Sequence, residues 1–504
     1  MRTDRLVLII IFFAALGAFS CSGTNASLEP DRSNKSKADT KGETPAVPAA
    51  ASPAALPEVG DGDVKVLIAD ENAFGIDLYG QLRSRKGNLF FSPSSVSTAL
   101  SMTYAGARGT TRDGMRKTLR YSLADEKIHQ AFKTLTARPA QGQVILRVAN
   151  RLWGQKGSQM EPAFLEVTRD DYDAAMKEAD FASNAEKARS EINAWVSQET
   201  AGKIPELVPE GVITALTRLI LVNAVYFKGK WAEPFDARLT RDAPFYIVGA
   251  ATGGGAPKAW RGTSTLAGPK KSAIEEDCGS KVETRIMARD GEFLYAETGD
   301  LQVLEIPYQG NEIAMDILLP AKVDGLASIE SKLDYSMITK YIGSLQKQHL
   351  KVYLPRFTLR SEFDLKESLS ALGMKTAFEP SADFSGITGT NREWFIQGVL
   401  HQAFVEVNEE GTEAAAATAV HVAVMGAMVP QKPVSFEADH PFLFLIRNTQ
   451  SGGILFMGRV ENPSEKSAPT PAECKNGELV RKPLWCEGMY LHRPECEAFV
   501  RDGR

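Results

Sequence analysis

Most of the residue patterns that announce chemistry are missing from this sequence. Its five cysteines, Cys21, Cys278, Cys474, Cys486 and Cys496, include no Cys-x-x-Cys pair, so the usual zinc spacing is absent. Its six histidines, His129, His349, His401, His421, His440 and His492, never fall at metal-ligand spacing, and no metal site is expected. There is no G-x-S-x-G elbow, no H-E-x-x-H and no phosphate-binding G-x-x-x-x-G-K-[ST]. Ser344 and Lys347 fit S-x-x-K, but the S-D-N and K-T-G partners of that site are missing, and so short a pattern arises by chance in a long chain. Nothing assembles a nucleophile, a base and its orienter, so the chain does not read as an enzyme and no cofactor is expected. The net charge of −5, with both signs interspersed, gives no basic footprint and excludes nucleic acid as the natural partner. No internal repeat occurs.

What is present begins with "MRTDRLVLIIIFFAALGAFSCSG". Arg2 and Arg5 flank an apolar run from Leu6 to Phe19, short for a spanning helix of about 20 residues. Residues 1–20 therefore read as an export signal. Cys21, directly after it, is the expected lipid attachment point of a bacterial lipoprotein, although Ala18-Phe19-Ser20 departs from the usual Leu-Ala/Ser-Gly/Ala. The expected location is the membrane surface of a bacterial envelope; the alternative is secretion with Cys21 removed. Residues 21–60, rich in Ala, Pro, Ser and Lys, have too few large apolar residues to fold and read as a tether. Residues 61–463 are evenly apolar, with no linker-like break and no spanning run, and read as one domain. Within it, 248–281 is a Gly-rich surface insertion carrying Cys278. Residues 464–504 form a tail too short for a core of its own. With Cys21 lipidated, Cys278, Cys474, Cys486 and Cys496 are candidates for two disulfides, one of them joining insertion to tail.

The domain alternates in period. "ENAFGIDLYGQLRS" sets Ala73, Phe74, Leu78 and Leu82 on one helical face. "NLFFSPSSVSTALSMTYAGARGTTRDGM" reads as a short strand, then a helix capped by serine with Pro93 in its first turn. "SEINAWVSQETAGKI" is an amphipathic helix stopped by Gly202, and "LILVNAVYFKGKW" is a buried strand. "LQVLEIPYQGNEIAMDILLP" and "LKVYLPRFTLRSEFDL" alternate as strands, and "PFLFLIRNTQSGGILFMGRV" is a hairpin. Helices early and strands late indicate an α+β fold with large, mainly antiparallel sheets.

"VNEEGTEAAAATAVHVAVMG", Val407 to Gly426, fits neither class: its alanines suit a helix, whereas its alternate valines suit a strand. If Thr412 faces inward as part of a strand, then Ala414, Ala416, Thr418, Val420, Val422 and Val424 do as well, while Glu413 and His421 point outward. A slip by one residue would bury Glu413. No proline precedes Pro430, so every amide could join a ladder.

"NLFFSPSSVSTALSMTYAGARGTT", "ANRLWGQ", "INAWVSQETAGKI", "LVNAVYFKGKWAEPF", "LEIPYQG", "ADFSGIT" and "HPFLFLIRNTQSGGILFMGRV" follow one another from about Asp70 to Pro463, and together they resemble the serpins. The departures are the Gly-rich insertion, "ETRIM" where the family usually has Pro-Met-Met, and the cysteine tail. The resemblance implies the serpin fold, with helices packed around large sheets and an exposed reactive-centre loop. It implies a suicide-type inhibitor, expected as a monomer, in which a serine protease cuts the loop and forms a covalent acyl-enzyme. The loop then enters the central sheet as a new strand; serpin loop insertion is a standard instance of strand addition.

By the same resemblance Glu409, Gly411, Thr412, Glu413, Ala414, Ala415, Ala416 and Ala417 form the hinge. Ser92, Ser95, Asn223 and His401 form the shutter under the parting strands, and Trp231 with Glu409 lies where the loop enters. Counting from Glu409, the reactive bond is Met425-Gly426, with Val424 to Met428 as the range of registers. Methionine suits elastase-like or chymotrypsin-like proteases, and the absence of Arg and Lys between Glu413 and Gln431 disfavours trypsin-like ones. The alternative is a non-inhibitory, membrane-tethered binding protein on the same fold. In the uncut chain the hinge is expected to be exposed, so that arginine at position 412 would be tolerated there.

Overall fold

The computed structural model describes residues 59–137, 144–247, 280–389, 394–412 and 434–464, with the backbone of three two-residue strands between Thr470 and Leu479. The first helix, Asp61–Leu82, starts ten residues before the periodic stretch that announces it in the sequence. Asp61 and Asp63 stabilise its positive N-terminus, and the Asp63 carboxylate accepts from the Gly60 amide at 3.1 Å. Strand Leu89–Phe91 leads to helix Pro93–Gly106, where Ser92 caps the N-terminus by accepting from the Ser95 amide at 3.2 Å. The later helix Phe181–Glu199 ends before Gly202, whose φ of +76° turns the chain away.

Two large sheets dominate. The six-stranded one is ordered Phe357–Asp364, Ile396–Asn408, Gly411–Thr412, Leu219–Lys230, Val144–Gln155, Lys177–Ala179. Strands Leu219–Lys230 and Ile396–Asn408 run parallel and pair directly from Leu219 and Ile396 up to Tyr226 and Phe404. Above that level they diverge. A ten-stranded sheet carries the C-terminal hairpin, Phe442–Asn448 with Ile454–Val460, and the long strand Ser280–Thr298. Ser280 and Lys281, read in the sequence as the end of the insertion, begin that strand, paired with Ile247 and Tyr246.

The two central strands of the six-stranded sheet, Leu219–Lys230 and Ile396–Asn408, are buried on both faces, which explains their near-continuous apolar sequences. On the sheet's inner face Val225, Phe227, Ala403 and Val405 pack with Phe444 and Phe456 of the other sheet. On its outer face Val222, Ala224, Tyr226, Leu400 and Phe404 meet Ile192 and Val196 of helix Phe181–Glu199.

Candidate functional site

The site lies where the two parallel strands part. Gly411 and Thr412 turn back from Asn408 and fill the gap as a two-residue antiparallel strand. Thr412 pairs with Val407 on one side and Gly229 on the other, and Gly411 pairs with Asn408 and Lys230. This fit requires glycine. Gly411 has φ +146°, and a Cβ there would stand 2.1 Å from the Gly229 carbonyl oxygen.

Thr412 is fully buried, and its hydroxyl lies 2.9 Å from that of Tyr308. The sequence expectation of an exposed hinge is therefore corrected at this position, because the ladder already takes up Gly411 and Thr412. An arginine at 412 would be buried in the intact protein. Tyr308 stacks on Trp231, with ring centroids 4.5 Å apart, and the indole donates to the Asn408 carbonyl at 3.0 Å. Glu409, also buried, accepts from Arg356 Nε at 2.7 Å and from the Thr240 hydroxyl at 2.5 Å. Burial alone would raise its pKa, but the hydrogen bonds from Arg356 and Thr240 hold the carboxyl below the usual glutamate range. The turn between the strands is thus fixed by a charge-assisted cluster.

Three residue pairs below the closed end, Asn223 and His401 face each other across the same two strands. The Ser92 amide donates to His401 Nε2 at 3.1 Å, so Nδ1 carries the proton and donates to Asn223 Oδ1 at 2.5 Å. Asn223 Nδ2 donates to Ser95 Oγ at 2.6 Å, and Ser92 Oγ donates to the Leu455 carbonyl at 2.7 Å. Burial pushes the His401 pKa down to about 3, so the imidazole is neutral at physiological pH. These paired polar groups tie both strands to the N-terminus of helix Pro93–Gly106. Separating the strands breaks the His401–Asn223 bond.

The structure thus brings Ser92, Ser95, Asn223 and His401 into one cluster and Trp231, Glu409, Gly411 and Thr412 into another. Glu413, Ala414, Ala415, Ala416, Ala417, Met425, Gly426, Cys21, Cys278, Cys486 and Cys496 lie outside the described residues, as does the Cys474 side chain. Sequence reasoning missed Tyr308, Arg356 and Thr240. Tyr308 sits within a quoted segment, "LEIPYQG", but nothing in a lone tyrosine signals a contact with residue 412. Ser344, of the S-x-x-K match, donates to the Tyr341 carbonyl at 2.7 Å at the end of helix Tyr335–Gly343.

Comparison with known proteins agrees with this architecture. The family model described as serpin, serine protease inhibitor, matches residues 69–252 and 271–463, and the interruption falls in the Gly-rich stretch. The leukocyte elastase inhibitor of Bos taurus is 39% identical over 412 residues, covering 79% of this chain and 99% of the relative. An uncharacterized serpin-like protein of Thermococcus kodakarensis is 36% identical, covering 80% and 88%. Among solved structures, Serpin48 of the insect Tenebrio molitor superposes with a TM-score of 0.66 at 31% identity, covering 81% of this chain and all of that one. The parting strands, the polar cluster beneath them and these matches have one reading: the chain belongs to the serpin family, serine protease inhibitors by description, and has the serpin fold.

Proposed function

We propose that this protein is a suicide-type inhibitor of elastase-like or chymotrypsin-like serine proteases that acts by loop cleavage and insertion. The observation that carries this reading is the Gly411–Thr412 strand, already seated between Gly229–Lys230 and Val407–Asn408. Continuing that ladder residue by residue sets Ala414 between Phe227 and Val405, Ala416 between Val225 and Ala403, and Val420 between Leu221 and Val399. All of these rows face the inner core. Thr418 falls between Asn223 and His401, where a hydroxyl can replace the hydrogen bond that strand separation breaks. Glu413 falls on the outer face between Lys228 and Glu406. No inward position of the loop meets a charge.

In the proposed reaction the protease serine attacks the Met425 carbonyl, the Gly426 amine leaves, and an ester joins the two proteins. Insertion then drags the protease away before water can cleave the ester. The name of the bovine relative, a leukocyte elastase inhibitor, supports an elastase-like target. The same proposal includes Cys21 as a lipid anchor on a bacterial envelope, supported by the basic, apolar and small-residue order before it.

Incubation with chymotrypsin-like and elastase-like proteases tests the reading. A covalent complex that survives SDS is expected, with its scissile bond at Met425-Gly426. Clean cleavage with full protease activity retained would instead support the non-inhibitory, tethered binding protein. Release of the full chain from membranes by Cys21→Ala tests the anchor.

A further inference from the structure

We propose that Lys203 and Arg360 form a clasp over the closed end of the sheet, and that its release sets the rate at which the loop can enter. This rests on the insertion reading above and concerns residues that reading leaves unused. Tyr226 and Phe404 are the last directly paired residues of the two parallel strands, and both rings face the outer side. Their centroids are 6.1 Å apart. The Lys203 ammonium lies 5.6 Å from the Phe404 ring and 6.0 Å from the Tyr226 ring, so one cation bridges both strands. Arg360, paired opposite Phe404 on the next strand, lies 5.6 Å from the same ring and donates through Nη2 to the Lys203 carbonyl at 2.9 Å.

Lys203 belongs to the connection that follows helix Phe181–Glu199, and hydrogen bonds tie that connection to the helix. The Asn193 side chain accepts from the Leu207 and Val208 amides at 3.0 and 2.8 Å and donates to the Val208 carbonyl at 3.0 Å. The clasp therefore fastens a helix-sized body across three strands, at the level where they stop pairing. An inserted strand doubles the separation of Tyr226 and Phe404's strands, from about 4.8 to about 9.6 Å, and Lys203 can no longer face both rings. The Lys203 bridge between the two rings exists only in the closed sheet, so it opposes opening and contributes nothing once the sheet has expanded.

The test uses the full chain, its Arg360→Ala and Lys203→Met variants, and Arg147→Ala as an exposed control in the same cross-strand row. A labelled synthetic peptide with the sequence of Thr412 to Val424 probes entry. Both clasp variants should anneal it about fivefold faster than the parent, while Arg147→Ala should not differ from it. The intact variants should melt below the intact parent, whereas loop-cleaved Lys203→Met should melt with the loop-cleaved parent, because the Lys203 bridge is already open there. Unchanged annealing in a parent-competent background, or equal loss of melting temperature in intact and cleaved Lys203→Met, would overturn the clasp. A parent that neither anneals the peptide nor melts higher after cleavage would overturn the insertion reading instead.

Discussion

At the scale of single residues, Thr412 is the position where the structure changes the argument most. It is buried, bonded to Tyr308 and paired on both sides. Thr412→Arg should destabilise the intact protein by several kcal/mol, about 3 or more, because a guanidinium there has no carboxylate within the ladder. Thr412→Val should cost about 1–3 kcal/mol, the penalty of leaving the Tyr308 hydroxyl without its partner. Denaturant unfolding of the intact variants checks both values, and wild-type stability in Thr412→Arg would contradict the buried hinge.

His401 gives a pH prediction. Unfolded, it titrates near 6.5; folded, at about 3, so between these values the unfolded chain binds a proton that the native one excludes. Its contribution to stability is full above about pH 6.5 and falls by about 1.4 kcal/mol per unit as the pH drops towards 3. Unfolding free energies measured across that window should slope less in His401→Gln than in the parent. The cluster around His401 was legible in the sequence only through family motifs, because lone serines and a histidine carry no spacing that reports their meeting. Tyr308 and Arg356 were not legible at all: their roles come from contacts between residues 53 and 104 positions apart.

At the scale of elements, local pattern went far. The serine-capped helix at Pro93, the helix end before Gly202 and the C-terminal hairpin all follow from capping, turn and period-two signals. The pattern failed where a contact overrides it. In helix Asp61–Leu82 the buried Val64, Leu67 and Ile68 share one face, but exposed Val66 and the buried polar Asp70, Glu71 and Asn72 blur it, so the helix begins ten residues before the periodic stretch. The ambiguous Val407–Gly426 stretch shows why: its alanines and valines suit two conformations, and the gap between strands, invisible in the sequence, selects the extended one for Gly411 and Thr412.

Gly411→Ala should expel that two-residue strand, since its Cβ would meet the Gly229 carbonyl. Faster cleavage near the hinge by a broad-specificity metalloprotease would report the release. The tail carries another prediction. Thr470 and Pro471 pair with Lys281 and Ser280, so the tail backbone runs beside the strand that follows Cys278. A disulfide joining Cys278 to one of the three tail cysteines is expected, with the other two left to pair. Mass spectrometry of unreduced peptides checks this, and free thiols in the tail would contradict it.

At the scale of the whole molecule, the proposed mechanism requires a closed sheet that can accept one more strand. In that proposal the shutter bonds and the hinge cluster keep it closed, and the loop continues from the short strand that ends at Thr412. Insertion would add a full ladder and bury Val420, Val422 and Val424, burial worth roughly 2 kcal/mol or more per valine. The most direct measurement is the unfolding temperature of the protein before and after a single cut within Val424 to Met428. The account predicts that the cut protein melts far above the intact one. A cut protein that melts no higher would mean that the loop does not enter the sheet.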